Sequence, residues 1–479
     1  MAAPPVFRNP FHLPELRYRL SRFVTLKDAL SCILVSKAWT HDFISAIWFK
    51  VDLKAHPLFA NLPPDVIAKH GRHIRIVENL ASLYLVSTFT HPTINKLRFL
   101  QIETIGSDVK HTEAYEIIAR NNTSVEHLDL FASYFTENPD HPNHYVSASA
   151  FVALSVASPG GPAATSVLTT LEMTQLRLTH DSLMTILEAT PALSKIRLPV
   201  TTITGTPSRS FQHAGVTLLA WEFKSIFPED QTTMMTTSPS LLSYFPNLTI
   251  LHTWTEIWTD DSSYTIPTDR IRKDLSRYCP RLAEYKLVDY SGKITPEFLT
   301  NIATNVTRIT THLECLTPET ITAIVLHKAT LKKVAHFYYR GFHYDDDQVA
   351  TVSNDLQVTD EMVQEIPRKC SKLERLNLHG FEMDMDVVES GEWTCKDLRK
   401  LRIRVRGLDT KEKILRAIAL WRAGCWRRRQ ERATGIKAAA VEEKQLEADH
   451  SIEARVARHL LKFEQLQLIW LGYQMWTLI

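Results

Sequence analysis

The sequence lacks the features that mark several large classes of protein. Its 479 residues carry 55 basic and 53 acidic side chains, so the net charge of +2 creates no general attraction to nucleic acid or to membranes. The composition, with 44% hydrophobic and 23% charged residues, argues against disorder, collagen and a coiled coil. We therefore expect either several globular domains or one long repeat array.

Cysteine is scarce, and its six copies are spread without a CxxC pair or a nearby histidine. This spacing argues against a structural zinc site and a disulfide framework, and it favours a reducing compartment. The first residues contain no apolar run of the signal-peptide kind, and no later segment is apolar for long enough to span a bilayer. The sequence thus predicts an intracellular, soluble chain of the cytoplasm, the nucleus or both.

Catalytic and ligand-binding motifs are also missing. The chain has no Gly-x-Ser-x-Gly, Walker loop or His-Glu-x-x-His, and its 20 histidines do not cluster with acids at ligand spacing. We accordingly predict no catalytic residue, no metal ligand and no cofactor, and a protein that is not an enzyme.

Residues 13–51 have the spacing of three short helices. Pro14 suits a first helical turn, because the N–H that proline lacks would be unpaired there. Thr25 and Asp28 form an acidic version of a capping box for a second helix. An apolar stripe at i+4 spacing then follows, formed by Val35, Trp39, Phe43 and Ile47. So small a piece buries too little surface to be stable alone, so it either needs a partner or caps a larger fold.

The order of residues in this segment resembles an F-box. The matching residues are Leu13-Pro14-Glu15-Leu16, Leu26-Lys27-Asp28-Ala29-Leu30, Cys32, Val35-Ser36-Lys37-Ala38-Trp39 and Trp48. The match covers roughly the first tenth of the chain, with one residue fewer after the proline than in the commonest form. At its end, Ile47-Trp48 stands where the family has Leu-Trp.

The resemblance implies a docking module for the Skp adaptor, which bridges to a cullin scaffold and a ubiquitin-loading machinery. It implies an adaptor contact made by Leu13, Pro14, Leu16, Leu26, Leu30, Val35 and Trp39. Some of these side chains would pack inside the module instead, and the sequence does not sort them.

The rest of the chain contains an irregular repeat. Each copy has a leading apolar residue followed three and five residues later by others, as in Leu373, Leu376 and Leu378. The leading positions are 97, 125, 193, 248, 282, 306, 331, 373, 398 and 466. Several gaps are between 24 and 34 residues, near the period of a leucine-rich repeat. A helix before each predicted strand indicates a solenoid with a curved parallel sheet.

Three cysteines share one phase of this repeat. Cys279, Cys370 and Cys395 each stand three residues before a leading position, so we expect small buried spacers rather than reactive thiols. The repeated part is similar to leucine-rich-repeat F-box proteins, which are abundant in fungi.

These patterns predict an α/β chain, with an N-terminal three-helix F-box followed by an irregular leucine-rich-repeat solenoid. The predicted parts are an F-box at 8–52, a helical connector and first repeat at 53–96, a solenoid at 97–424 with loop insertions at 136–166, 199–240 and 341–358, a basic then polar helical insertion at 425–460, and a capping strand at 461–479.

The outward-facing positions of the later strands are rich in cations. Alternate side chains of a strand face opposite sides, so residues between the buried leucines face solvent. The predicted substrate-binding residues are Arg375, Asn377, His379, Lys400, Arg402 and Arg404. A ladder of like charges is unfavourable alone, which favours an acidic or phosphorylated peptide ligand. The alternative is that these cations are solvated or paired with acids of other strands, which we favour for Arg177 and Arg197.

A strongly basic block follows, with 14 basic and 4 acidic residues between Lys396 and Arg432. Its segment from Trp421 to Gly435 combines tryptophans and arginines, which suits a nuclear-import or nucleic-acid patch. The stripe of Ile414, Ile418, Trp421 and Cys425 favours an amphipathic helix packed on the last repeats instead.

Taken together, the resemblance and the repeat predict the substrate-recognition subunit of a Skp-cullin-F-box ubiquitin ligase. Its partners would be the Skp adaptor, a cullin reached through the adaptor, and a substrate protein; membrane and nucleic acid are not favoured. One alternative is a leucine-rich-repeat binding scaffold with no ligase role. Another is a nucleic-acid-binding protein that uses the basic block, for example through Arg427, Arg428 and Arg429.

Overall fold

The computed structural model describes most of the chain from Leu13 onward. The described residues are 13–57, 59, 62–80, 89–104, 117–118, 120–121, 123–132, 166–174, 176–199, 201–205, 207–222, 226, 240–254, 268–289, 294–301, 306–312, 316–337, 358–434, 448–471 and 474–477. They fold as two compact units, which divide near Trp221 and Leu248.

The first unit begins with three helices and continues as strands with few described helices between them. Its helices are α1 (Pro14–Ser21), α2 (Leu26–Ile33), α3 (Lys37–Phe49), α4 (Pro64–His70) and α5 (His180–Ala189), with 3-10 turns at Gly71–His73 and Leu241–Tyr244. Its strands are β1 (Lys50–Asp52), β2 (Ile76–Leu80), β3 (Phe99–Thr104), β4 (His127–Ala132), β5 (Thr170–Thr174), β6 (Arg177–Thr179), β7 (Lys195–Leu198), β8 (Thr202–Thr204) and β9 (Leu218–Glu222). Strands β1, β2, β3, β4, β5, β7 and β9 form a parallel sheet in that order, and β6 pairs with β8.

The second unit alternates helices and strands more regularly. Its helices are α6 (Thr268–Tyr278), α7 (Ile294–Asn301), α8 (Pro318–Leu326), α9 (Asp360–Lys369), α10 (Met385–Glu389), α11 (Lys411–Thr434) and α12 (Ile452–Leu461). Its strands are β10 (Ile250–Trp254), β11 (Glu284–Asp289), β12 (Val306–His312), β13 (Lys333–Phe337), β14 (Arg375–Met383), β15 (Lys400–Val405), β16 (Leu468–Leu471) and β17 (Gln474–Thr477). Strands β10 to β16 pair in parallel in sequence order, and β17 pairs antiparallel with β16.

One backbone arrangement recurs from repeat to repeat in each unit. The carbonyl just after a leading apolar residue accepts two N–H groups from the next repeat, as Glu374 does from Arg399 at 2.8 Å and Lys400 at 3.1 Å. In the first unit, Arg98 accepts from Glu126 at 2.9 Å and His127 at 3.0 Å. The repeat predicted from sequence is therefore a structural repeat, and the predicted parallel α/β architecture is confirmed.

The leading positions are buried in nearly every copy. Leu97, Leu193, Leu248, Val306, Leu331, Leu373 and Leu398 have no exposed surface, Val125 and Leu466 are almost fully buried, and Leu282 is half-buried. The predicted spacers Cys279, Cys370 and Cys395 are buried as well. Burial raises the pKa of each of these three thiols to about 12, so they are inert hydrophobic fillers at neutral pH.

Two repeats lie where the sequence did not predict them, and the first repeat, predicted within 53–96, has a leading residue that the sequence did not identify. Ile74, Leu168 and Val216 are buried leading residues of β2, β5 and β9. The prediction of a loop at 199–240 is therefore wrong in part, because β8 and β9 lie within it and β9 pairs with β7. Most of the loops predicted at 136–166 and 341–358 falls outside the described residues.

The C-terminal segment differs from the predicted polar insertion. The single helix α11 does bury the predicted stripe at Ile414, Ile418 and Trp421, but α12 is an amphipathic core helix with Ala454, Val456, Ala457 and Leu460 buried. Gly424 allows α11 and α12 to approach, because a Cβ there would come within 2.7 Å of Leu461. The predicted cap is a hairpin of β16 and β17 rather than one strand.

Candidate docking helices and cationic row

Helix α1 is packed with its polar side inward. Arg17 and Ser21 are buried, whereas the side chains of Leu13 and Leu16 are 48% and 40% exposed. Amphipathic helices normally bury the apolar side, so this orientation is the reverse of the usual one. Phe23, just after α1, is 86% exposed.

The inward face of α1 is held by an ion pair. Nε of Arg17 lies 2.5 Å from Oδ2 of Asp42 in α3, and both side chains are largely buried. The hydroxyl of Ser21 donates to the carbonyl of Tyr18 at 2.8 Å, so the second polar group on this face is also satisfied. The pair of Arg17 with Asp42 therefore fastens α1 to α3 from its polar side.

Helices α2 and α3 begin as the sequence predicts. The hydroxyl of Thr25 accepts from the N–H of Asp28 at 3.2 Å, which is the N-cap half of the expected capping box, and it donates to the Asp28 carboxylate at 2.7 Å. Ser36 caps α3 by accepting from the N–H of Trp39 at 3.3 Å. Of the α2 residues only Ala29 is buried, and Leu26, Cys32 and Ile33 are half-buried, so α2 packs on α3 by one side and leaves the other exposed.

The structure sorts the residues predicted for adaptor contact. Leu13, Pro14, Leu16, Leu30 and Val35 are exposed, and Leu26 and Trp39 are half-buried. None of the seven is buried in the described structure.

The apolar stripe of α3 divides along its length. Val35 is 63% exposed, and Trp39 stacks on Phe43 with ring centroids 5.2 Å apart. Phe43 and Ile47 belong to the buried core. The N-terminal end of the stripe is thus available to a partner, while its C-terminal end holds the helix in place.

Trp48 connects the helices to the following segment. Its side chain is buried, stacks on His70 at 4.9 Å and meets the edge of Phe59 at 5.4 Å. Trp48 is therefore a packing residue of the first unit rather than a contact for a second protein.

Exposed large apolar side chains are concentrated in these helices. Eight of the thirteen in the described part of the chain lie between Leu13 and Phe49. We call six of them, Leu13, Leu16, Phe23, Leu30, Leu34 and Val35, the apolar set. A surface rich in apolar side chains is typical of a protein-binding site.

The predicted substrate residues of the second unit are partly brought together. Arg375 is in register with Lys400, and Asn377 with Arg402, on adjacent strands. Arg404 stands opposite the acidic Glu382, beyond a register irregularity. The side chain of His379 lies outside the described part, so its contribution stays a prediction.

The structure adds three cations to Arg375 and Lys400. Lys286, Arg308, Lys333, Arg375 and Lys400 are successive register partners on β11 to β15, and we call them the cationic row. Four of them stand two residues after the leading positions 306, 331, 373 and 398, so their shared phase in the repeat could have been found from the sequence. Lys286 stands four residues after its leading position, because the pairing of β11 with β12 is irregular after Tyr285.

The cationic row is only partly neutralised. Glu284 lies 3.4 Å from Lys286 and 3.3 Å from Arg308. Among the described residues, Lys333, Arg375 and Lys400 have no acidic side chain at ion-pair distance. The pKa of Lys333 is lowered by burial and then by the charges of its four neighbours in the row, so the side chains are close enough to repel one another.

The first unit has a different arrangement on its sheet. Asp129, Glu172 and Arg197 are register partners on β4, β5 and β7. Arg197 lies 3.5 Å from Glu172, and Gln101 donates to Asp129 at 2.7 Å. Burial raises the pKa of both carboxyl groups. Arg197 thus belongs to a charge-paired network, in agreement with its predicted role as an ordinary paired cation.

A cleft of about 860 Å³ with both apolar and polar lining lies beside α1, α2 and β1 in the first unit. Its cations already have partners: Lys50 lies 2.7 Å from Glu78, and Arg98 lies 3.7 Å from Glu126. Arg75 donates to the carbonyls of Arg72 and Ile74. Two cations of the cleft are therefore in ion pairs, and a third is held by backbone carbonyls.

The arginines of α11 are partly engaged within the second unit. Arg428 donates to the carbonyl of Leu461, and Arg432 lies 2.7 Å from Glu464. Trp426 lies in sequence between the buried Trp421 and Arg428, and its side chain is 63% exposed. These contacts match the predicted amphipathic helix better than a free basic patch.

No group of metal-ligating side chains occurs in the part of the chain that the structure describes. None of its described helices is both long and apolar enough to cross a membrane. Comparison with models of known protein families and with curated protein sequences found no match to this chain.

Proposed function

We propose that α1 to α3 form an F-box that docks a Skp-type adaptor, and that the chain is the substrate receptor of a Skp-cullin-F-box ubiquitin ligase. The observation that carries the proposal is the apolar set. Its members include four of the residues that the sequence resemblance assigns to the adaptor contact, Leu13, Leu16, Leu30 and Val35.

The energetic argument concerns the cost of leaving these side chains in water. Full burial of a leucine or valine side chain is worth about 1.5–3 kcal/mol relative to exposure. Leu34 is 85% exposed and Val35 is 63% exposed, so most of that free energy is available to a partner. A few such side chains suffice to form the centre of a protein interface.

The way the helices are attached also supports docking of a separate protein. Arg17 and Asp42 fasten α1 from its polar side, and Trp48 anchors the end of α3. Both attachments use residues other than the apolar set. The helices can therefore be held by the first unit while their apolar side chains remain available.

In this role the chain contributes proximity rather than chemistry. A receptor that holds adaptor and substrate together raises the effective concentration of a substrate lysine near loaded ubiquitin. The outward face of the second unit's sheet would hold the substrate, and the complex would act in the cytoplasm, the nucleus or both.

The test is co-purification of the full chain with a Skp adaptor, followed by calorimetric titration of the separated proteins. The docking variant is Leu16→Ala, Leu30→Ala and Val35→Ala, all at exposed positions. The control variant is Leu326→Ala, Met362→Ala and Leu415→Ala, which removes three other exposed apolar side chains, 58%, 37% and 39% exposed, from the second unit. Circular dichroism melting shows whether each variant is folded.

We expect wild type and control to form a one-to-one complex, and the docking variant to bind about a hundredfold more weakly or not at all. Equal binding by a folded docking variant would contradict the assigned surface. A wild-type chain that is folded but does not bind the adaptor would overturn the ligase role and favour the alternative of a leucine-rich-repeat scaffold.

A further inference from the structure

The cationic row places like charges side by side across five strands. Adjacent strands are about 4.8 Å apart, so the row is about 19 Å long. Like charges directly opposite one another destabilise a sheet. The second unit retains them at four consecutive register steps, from Lys286 to Lys400.

Counter-charge within the described structure is confined to one end of the row. Glu284 serves both Lys286 and Arg308, whereas the three cations from β13 to β15 lack an acidic partner among the described residues. Arg375 is exposed, and Lys333 and Lys400 are half-buried, so a ligand can reach them. Burial is the main cause of the lowered pKa of Lys333, and an anion in contact with these three cations would relieve the charge repulsion that adds to it.

The neighbouring row on the same face limits what the ligand can be. One pleat farther along the strands, the register partners are Val288, Thr310, Ala335, Asn377 and Arg402. No side chain of these two rows on β11 to β15 is aromatic, and the second row has a single cation. On the adjacent strands the register partners are aromatic at three places, namely His252 and Trp254 on β10 and Trp470 on β16. Single-stranded nucleic acid is usually held by aromatic stacking as well as charge, and a duplex needs a broad positive surface. A narrow row of cations fits an extended peptide better than a duplex, and the three cations without an acidic partner lie on β13 to β15, away from the aromatic side chains of β10.

We infer that the cationic row binds an extended, anionic peptide segment that lies across strands β11 to β15 and places phosphate or carboxylate groups against Lys333, Arg375 and Lys400. An extended peptide advances about 3.4 Å per residue, so the row matches a segment of about six residues. Arg375 can contact a phosphate or carboxylate in a bidentate manner, and the two lysines act as point charges.

The inference deepens the proposed function by naming the substrate class, and it rests on that function only for calling the bound peptide a substrate. Peptide binding can be measured with no adaptor present. A failure of the row to bind peptide and a failure of the docking helices to bind the adaptor can therefore be told apart.

The experiment is fluorescence anisotropy of the full chain with three labelled peptides of equal length. One has a central Glu/Asp-rich core, one has phosphoserines at the same positions, and one has unmodified serines there. The row variant is Lys333→Gln, Arg375→Gln and Lys400→Gln. The control variant, Lys328→Gln, Lys372→Gln and Arg399→Gln, removes the same charge from exposed positions of the same unit.

We expect both anionic peptides to bind the wild type and the serine peptide not to bind. The row variant should bind the anionic peptides at least about tenfold more weakly, and the control variant within about twofold of wild type. Binding to the wild type should fall as the salt concentration rises. The relative affinity of the two anionic peptides tells whether phosphate or carboxylate is preferred.

Three results would overturn the inference. The first is that neither anionic peptide binds. The second is that the control variant loses as much affinity as the row variant, which would mean a general effect of charge. The third is that a single-stranded oligonucleotide binds more tightly than the peptides and is lost in the row variant. The row variant should still form the adaptor complex, and the docking variant should still bind peptide.

Discussion

Arg17 of α1 and Asp42 of α3 form an ion pair of 2.5 Å whose side chains are only 9% and 11% exposed. The pair explains how a helix with an apolar outer side can stay attached to the first unit. If Arg17 were replaced by a leucine, the usual apolar packing could rotate α1 and bury the side chains that we assign to docking.

Removal of Asp42 should therefore be costly. Asp42→Ala removes this ion pair from the nearly buried Arg17, and we expect a loss of about 3 kcal/mol in the free energy of unfolding of α1 to α3. Hydrogen exchange of residues 13–50 measures this locally. Glu188→Ala is the matched control, because it breaks the exposed pair with Arg209 and should change stability much less. Equal effects of the two changes would contradict a structural role for the buried pair.

Truncation of Trp48 should reduce stability much more than truncation of Trp426. Trp48→Ala removes a buried ring stacked on His70, so the first unit should lose about 3–5 kcal/mol in chemical denaturation. Trp426→Ala removes a ring that is 63% exposed and should change stability by about 0.5 kcal/mol or less. A large effect at Trp426 would mean that this side chain is covered in solution.

Stability of the second unit should fall in mild acid because of His459. This side chain packs between Trp393 and Phe463, neither ring nitrogen has a partner, and burial lowers its pKa to about 3. The unfolded chain binds a proton near pH 6.5 and the folded one does not, so stability is full above pH 6.5 and is lost as pH falls towards 3. We expect a loss of about 2 kcal/mol between pH 7 and pH 5 from this residue.

Urea denaturation of wild type and His459→Leu at pH 7 and pH 5 measures this contribution as the difference in pH dependence. His327 also has a pKa lowered by burial, and it remains in both proteins, so its contribution cancels. Identical pH dependence in the two proteins would show that His459 is hydrated or hydrogen-bonded in solution.

The three spacer cysteines should resist thiol reagents. With a pKa near 12, Cys279, Cys370 and Cys395 have a thiolate fraction about a thousandfold below that of a free cysteine. Labelling of the native protein at pH 8, followed by peptide mass spectrometry, should leave them unmodified, while labelling in urea should reach all three. Rapid native labelling would mean that the repeats open on the timescale of the reaction.

Local features of this fold follow directly from sequence, because they depend on residues a few positions apart. The Thr25–Asp28 capping box and the phase of Cys370 are examples. The leading position of the first repeat was missed because its local pattern is interrupted. After Ile74, the fifth position is Asn79, whose φ of 55° breaks the strand register, so the expected spacing of apolar residues fails there.

Leu168 and Val216 were missed for another reason. Both are followed by apolar residues at the expected positions, Leu171 and Met173 in one case and Leu219 and Trp221 in the other. Their upstream segments are rich in Pro, Ser and Thr and lack a recognisable helix, so they resemble loops. Only the pairing of β5 and β9 with β7 identifies them as repeats.

The sites depend on contacts that are distant in sequence. The outward orientation of Leu16 requires Asp42 to hold Arg17 from a different helix. Likewise, Lys286 joins Arg308 in one row only because the pairing of β11 and β12 is irregular. Sequence spacing alone placed Arg375 and Lys400 together but grouped them with Arg404, which stands opposite Glu382.

Because each member of the cationic row belongs to a different repeat, the number of repeats determines the length of peptide that the row can bind. Gain or loss of one repeat would lengthen or shorten the site by about 4.8 Å without rearranging the others. Related chains could then select longer or shorter acidic segments by duplication or deletion of whole repeats, with no new side chain required.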